Sequence, residues 1–550
     1  MKIIFRKNIS IYYILFVYFL IGLFICKDFG VGIEEHFQRS SGFFWLEYIL
    51  QFTDFEFLKN QTSKKIFEIN KLHPNLPPVE IAKHYGVIFD LPMALFEIIF
   101  KIENTYNQFY LRHLSNFIIF FISGYLFYRI IIERTKIQYL SILSCLFYLL
   151  SPRIFGNSFF DGKDLLFLSL ITITFYFYLT YCKKKNFKFL LLFAFFAAIS
   201  TSTRIMGLFF PISFLLIGLF EIINKKNNKK IIINLLIFLF FFLFFLFFHW
   251  PYLWSLGINE FQIFFDSFKV GSNPDVYFNG IFYNSKYLPI SYIPVWILIS
   301  IPEIIILSFL FGFIFYIRRI FKRFILIKEN SFFNDLWRGE NEKIDLFLFL
   351  SFLQILIVYF SFNLSLYSGW RHFLFLHLFI VYFSSYGIYL LLMKIKNNLN
   401  FSKFIIIFLF ICILEILFNL YKYHPFQSVY LNNLVSNNMK TKFEVDTQSL
   451  SRSMALRDIL NDAGQNEKIT IGTSSWTPLE NGRSLLKPYD QNRLKFLGTS
   501  DKQKADYIYT NYYYEVNPEY VKKYSIPSNF KLLKSFTVDN TIVYSIYKKN

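Results

Sequence analysis

Runs of about 20 apolar residues recur through the first three quarters of this chain, separated by short clusters of lysine and arginine. A helix needs about that many apolar residues to cross the roughly 30 Å of bilayer hydrocarbon, and only backbone that satisfies its own hydrogen bonds is stable there. The pattern therefore predicts an all-α polytopic membrane protein. About eleven transmembrane helices are expected, over residues 9–26, 114–133, 138–152, 164–182, 188–203, 205–223, 231–249, 293–317, 345–366, 373–393 and 403–421. The first run, behind Lys2, Arg6 and Lys7, lacks a small-x-small cleavage site and reads as a retained first helix.

Composition agrees with this reading. At 55% hydrophobic and 22% aromatic residues, the chain is too apolar for a soluble protein with one core per domain. The formal charge of +20 does not imply nucleic acid, because the basic residues lie between apolar runs rather than on a basic face. The cysteines Cys26, Cys145, Cys182 and Cys412 have no metal-type spacing and read as buried apolar residues.

The basic clusters orient the spans. With a cytoplasmic amino terminus, Arg129, Arg134 and Lys136, then Lys183 to Lys185, then Lys225, Lys226, Lys229 and Lys230, then Arg318, Arg319, Lys322 and Arg323, then Lys394 and Lys396 all fall inside. That obeys the positive-inside rule for a multi-pass plasma (inner) membrane protein. Two long segments then lie outside. The first holds weakly amphipathic pieces at 43–57 and 79–102, expected as interfacial helices on the membrane surface. The second has Ile258, Phe261, Phe264, Phe265 and Phe268 at helical spacing, then the turn signal Asn279-Gly280.

Hydropathy falls after Tyr421, which divides a transmembrane domain, 1–421, from a small α/β outer (periplasmic) domain, 422–550. That domain is expected to contain a helix at 449–460, strands at 468–472 and 505–510, and a hairpin of 530–538 and 541–547 turning at Asp539-Asn540. No glycine loop of the nucleotide-cradling kind occurs, which disfavours a nucleotide-sugar donor or an ATP-driven pump.

On this topology the outer face gathers Glu34, Glu35 and His36 just past the first span, Arg112-His113, Arg153, Asp161, Lys163 and Asp164, Arg204 in a tight junction between spans, and Arg371-His372. Alone, each reads as a cap or an interfacial anchor. Together they suit transfer of a sugar from a lipid phosphate to a hydroxyl. A carboxylate, Glu34 or Glu35, would take the hydroxyl proton. Fixed cations among Arg153, Lys163, Arg204 and Arg371 would stabilise the departing phosphate.

The arrangement resembles the GT-C superfamily of membrane glycosyltransferases, in particular the bacterial relatives of protein O-mannosyltransferases. The likeness rests on the acidic pair Glu34-Glu35 in the first outer loop, Arg112-His113 opening the second span, and Pro152-Arg153-x-x-Gly leading to Lys163-Asp164. It rests also on Arg204-x-x-Gly207 and Gly369-Trp370-Arg371-His372. The family usually has Asp where Glu34 stands, which extends the base by about one methylene and leaves either glutamate able to serve. The resemblance implies a polyprenyl-phosphate sugar donor, a hydroxyl acceptor on lipid, glycan or protein, inversion at the transferred sugar, and a donor site that includes Arg112, His113, Asp164 and His372; His36, beside the acidic pair, is a further candidate for the donor site. It also implies work without a metal, although Glu34, Asp161 and Asp164 are a conceivable divalent-cation set. The competing expectation is a multi-span transporter or lipid flippase, against which the sequence offers no internal repeat.

Overall fold

The computed structural model describes residues 11–73, 76–224, 228–255, 273–325, 336–395, 397–464 and 468–550. Helix α1 (Ile11–Ile25) leads into a long connection that holds α2 (Glu35–Leu50), α3 (Glu56–Leu72) and α4 (Asp90–Ile99). There follow α5 (Thr105–Thr135), α6 (Gln138–Leu150), α7 (Pro152–Phe160), α8 (Asp164–Lys184), α9 (Phe187–Thr203), α10 (Phe209–Asn224) and α11 (Lys229–His249). After a hairpin of β1 (Asp275–Phe278) and β2 (Ile281–Asn284) come α12 (Tyr292–Ser300), α13 (Glu303–Ile325), α14 (Gly339–Ser361), α15 (Leu376–Ile395) and α16 (Leu399–Lys422).

Among the described residues nine helices are long and apolar enough to cross a membrane, or ten if the bent pair α6–α7 is one span. The chain is a multi-pass membrane protein. Two of the expected spans are not the straight full-length helices anticipated, and in both a proline is the cause. Pro152 and Pro302 each lack the N–H that would continue a helix and force the preceding residue toward extended backbone. Ser151 (φ −58°, ψ 117°) and Ile301 (φ −103°, ψ 142°) take that conformation. Run 138–152 thus ends early and meets α7 at 59°, and run 293–317 divides into α12 and α13. The expected run 188–203 is α9, of 17 residues, at the short end of the length that crosses the hydrocarbon.

The first long connection packs part of its expected amphipathic pieces against its own helices. In residues 43–50 Phe43, Trp45, Leu46 and Leu50 are buried, and this half of α2 packs on α4. The exposed aromatic side chains are Phe52, Phe55 and Phe57, Phe67 on α3, and Phe96 and Phe100 at α4. Segment 79–102 forms a 3-10 turn, Val79–His84, and then α4. The helix expected around 258–268 lies outside the described residues.

The two ends of the bundle differ in kind. At one, basic clusters from the sequence meet carboxylates. Arg134 grips Asp345 through two bonds of 2.8 Å, Arg319 reaches the same carboxylate at 3.1 Å, Arg323 pairs with Glu342 at 2.8 Å and Lys343 with Glu221 at 2.7 Å. Helix α8 runs from Lys183 at this end to Asp164 at the other, roughly 30 Å at 1.5 Å per residue, which matches the hydrocarbon thickness. Midway along the bundle α13 and α15 touch backbone to backbone: a methyl at Gly312 would overlap the Phe383 carbonyl, and one at Gly387 the Ser308 carbonyl.

At Asp164's end sits the C-terminal sheet, of β3 (Ile469–Thr473), β4 (Leu494–Leu497), β5 (Tyr507–Thr510), β6 (Phe530–Val538) and β7 (Thr541–Lys549), ordered β4-β3-β5-β7-β6. Strands β4, β3 and β5 are parallel, while β7 runs antiparallel to β5 and β6. Asp539 and Asn540 both take positive φ (47° and 61°), the conformation of the tight hairpin turn expected there. Helix α17 (Arg452–Asp462) packs on β7 and buries Ala455, Leu456 and Ile459.

Candidate functional site

Four connections meet at the end of the bundle that carries the sheet. The first is the loop after α1. Its course is set by Arg452, whose fully buried guanidinium donates to the backbone carbonyls of Ser449 (2.8 Å), Pro478 (3.0 Å) and Val31 (2.7 Å). Gly30 lies so close to the Leu450 carbonyl that any side chain there would overlap it. The loop then turns at Gly32, whose N–H donates to Glu35 Oε2 at 2.6 Å, and this delivers Glu34 as the cap residue of α2.

The other three connections supply Lys163 and Asp164 at the head of α8, Arg204 between α9 and α10, and Arg371 ahead of α15. Arg371 donates to Glu34 Oε1 at 2.6 Å, and its Nε lies 3.3 Å from Asp164 Oδ2. Arg204 pairs with the other oxygen of Asp164. The Lys163 ammonium sits over the Tyr85 ring, 3.1 Å from its centroid, and Arg371 lies 5.3 Å from the Tyr367 ring centroid. The backbone N–H of Asp164 donates to Asp161 Oδ1 at 2.8 Å, so Asp161 caps α8 as its position in the sequence suggested.

Charge divides these groups by role. Burial raises the Glu34 carboxyl, but Arg371, then Lys163 and Arg204, outweigh it and hold the group down to about 2. Burial, then the neighbouring Asp164 carboxylate, pushes Asp161 up to about 7. Burial and then Arg371 hold His372 down to about 3, a neutral imidazole. Burial would ease a proton off Arg371, yet Glu34 and Asp164 reverse this and keep it well above the usual guanidinium range. Glu34 keeps 32% of its side-chain surface exposed, against 3% for Asp164. It lines a cavity of about 40 Å³ with Gln38, Tyr85, Asp90 and Lys163, room for about three waters or for one reacting group.

A raised acid makes stability depend on pH. Unfolded aspartate titrates near 3.9, whereas folded Asp161 keeps its proton to about 7. The protonated form therefore stabilises the fold fully below about pH 4, and this contribution is lost as pH rises toward 7. Asp161→Asn retains the Oδ1 acceptor and cannot ionise. Its melting temperature in detergent is expected to gain on the wild type between pH 4 and 7 and to hold that lead above 7; parallel curves would contradict the assignment.

The remaining expected site residues lie around this cluster. Glu35 is buried and serves structure: it accepts from Gly32 N–H and meets His113 Nε2 at 3.0 Å. His36 faces away, toward the C-terminal domain, within 3.3 Å of the Asn481 carbonyl and Ser484 Oγ. Arg112 and His113 were expected to open a span, but α5 begins at Thr105 and places them two turns inside it. Arg112 pairs there with Asp90, a residue of the cavity wall. Arg153 lies over Trp296, 4.9 Å from the ring centroid, and donates to the Tyr430 carbonyl at 3.4 Å; among the described residues no carboxylate pairs with it. It sits behind the Arg371 loop, 3.5 Å from where a Gly369 side chain would begin.

A scan against models of protein families finds none that fits the chain, and a search of curated proteins finds no relative. The chemistry is therefore read from the residues themselves. Among the described residues no three of His, Cys, Asp and Glu are grouped to hold a metal ion, and the acids Glu34 and Asp164 are held by guanidinium groups instead. Sequence reasoning missed Tyr85, Asp90 and Tyr367. Tyr367, two residues before Gly369, carried a signal; Asp90, at the first position of α4 where an acid is common, and Tyr85 carried none.

Proposed function

We propose that the protein is a GT-C-type glycosyltransferase that moves a sugar from a polyprenyl-phosphate donor to a hydroxyl acceptor, with inversion, on the outer face of the membrane. The observation that carries this reading is the charge balance of the cluster. Lys163, Arg204 and Arg371 face Glu34 and Asp164, with Asp161 close to half protonated at neutral pH. The three cations outnumber the two carboxylates Glu34 and Asp164, and Asp161, raised toward neutrality, does not fully make up the difference; a sugar phosphodiester brings a single negative charge. After transfer the leaving polyprenyl phosphate is a monoester of higher charge, so fixed cations favour the products of bond breaking more than the donor.

In the proposed reaction the acceptor oxygen attacks the anomeric carbon from the face opposite the phosphate. The bond from that carbon to the phosphate oxygen breaks, its electron pair leaves with polyprenyl phosphate, and the acceptor proton passes to Glu34. Arg371 and Arg204 hold the leaving phosphate. Glu34 is favoured over Glu35 as base because it borders the cavity, whereas Glu35 is buried against Gly32 and His113. The test is to incubate membranes containing the protein with a panel of radiolabelled polyprenyl-phosphate sugars and follow the label. Release of polyprenyl phosphate with transfer of label to a hydroxyl-bearing product supports the proposal. Substrate uptake into proteoliposomes with no such release favours a transporter or flippase.

A further inference from the structure

A larger opening lies apart from the ion cluster, between the head of α5 and the C-terminal domain. It is a groove of about 760 Å³, within the usual range of small-molecule sites and far larger than the cavity beside Glu34. Leu460, Leu485 and Leu486 are buried beneath it, and Arg457, Asn461 and Lys487 stand exposed at its rim. One wall is Tyr106, whose ring is parallel to that of Tyr110. The frame is fixed: Thr105 Oγ1 donates to the Ser484 carbonyl at 2.9 Å, and Gln491 Nε2 to the Leu486 carbonyl at 2.9 Å.

The groove is short of negative charge. Its carboxylate, Asp490, lies 3.7 Å from Arg493 and is balanced by it. Among the described residues Arg457 makes one hydrogen bond, to the Leu485 carbonyl at 3.3 Å, and neither Arg457 nor Lys487 has a carboxylate partner. An apolar floor with an aromatic wall suits the C–H face of a sugar ring, Asn461 suits its hydroxyls, and two unbalanced cations call for an anion. We propose that this groove binds an anionic saccharide, one that carries a phosphate or a carboxylate. The inference stands independently of the transfer chemistry, since neither Arg457 nor Lys487 belongs to the Glu34 cluster.

The test is calorimetric titration of the full chain in nanodiscs of neutral lipid with glucose 6-phosphate and glucuronic acid, with glucose and inorganic phosphate as comparators. Glucose 6-phosphate is expected to bind at least about 10-fold more tightly than either comparator. Binding is expected to weaken by about 10-fold or more in Arg457→Glu/Lys487→Glu and in the milder Arg457→Ala/Lys487→Ala, and to be unchanged in Lys163→Ala, which alters the ion cluster instead. Phosphate binding as tight as glucose 6-phosphate, no binding of either anionic sugar, or undiminished binding in both double variants overturns the proposal. Loss of binding in nanodiscs that contain phosphatidylglycerol overturns it in favour of a lipid headgroup.

Discussion

Glu34→Gln is expected to lower sugar transfer by about 10²- to 10⁴-fold, the range a positioned general base contributes, while the protein stays folded in the membrane. The amide keeps an oxygen that can accept from Arg371 but cannot take a proton. In the unliganded protein Glu34 is held near 2 by Arg371, Lys163 and Arg204, which makes it a weak base. A donor phosphate that draws Arg371 toward itself would restore basicity at the moment the acceptor is bound. Two readouts follow. The acid limb of the rate profile for the free enzyme should lie below the usual glutamate range, because Glu34 stays ionised there. Glu35→Gln should instead lower thermal stability, since Glu35 anchors Gly32 and His113. Normal turnover in the Glu34→Gln, Glu35→Gln double variant would falsify the assignment of the base to this loop.

Arg371→Ala should have the largest effect of any single change at the site, on stability as well as on turnover. The side chain is 5% exposed and touches both Glu34 and Asp164. Removing one partner of a buried ion pair costs about 3–5 kcal/mol, because the other charge is stranded. Asp164 keeps Arg204 and Glu34 is partly exposed, so the lower end of that range is expected. Transfer should be lost altogether, with a clear fall in the melting temperature of the detergent-purified protein. Arg371→Lys should recover much of the stability and little of the activity, because an ammonium restores charge without the planar fork that reaches two carboxylates. A wild-type melting temperature in Arg371→Ala would show that the cluster does not hold these connections together.

The helical bundle was legible because crossing a membrane imposes a length that few other structures require. Where the spans were misread, at Pro152 and Pro302, a local rule was passed over: an apolar run was followed through a proline that ends a helix. The apolar face of 43–50 matches a surface helix in period, yet it is covered by α4, and periodicity cannot say what covers a face. Strand β4, four residues long and interrupted by Lys495, is too short for any pattern to show. At the site, the convergence of Glu34, Lys163, Asp164, Arg204 and Arg371 followed from sorting connections by membrane side. The division of labour between Glu34 and Glu35 did not, since adjacent residues on a helix point in different directions and only the tertiary fold decides which one meets the cavity. Arg452 was invisible for a similar reason: its partners are backbone carbonyls distant in sequence.

The contact between α13 and α15 bears on which parts of the molecule can move. Bare backbone at Gly312 and Gly387 removes the layer of side chains over which neighbouring helices ordinarily slide. Arg371 stands just ahead of α15 and so rides on a two-helix spar, while Glu34 hangs from a loop tied to the C-terminal domain through Arg452. Any rearrangement that parts Glu34 from Arg371 must therefore pivot in the loops, with the paired helices travelling as one stiff unit.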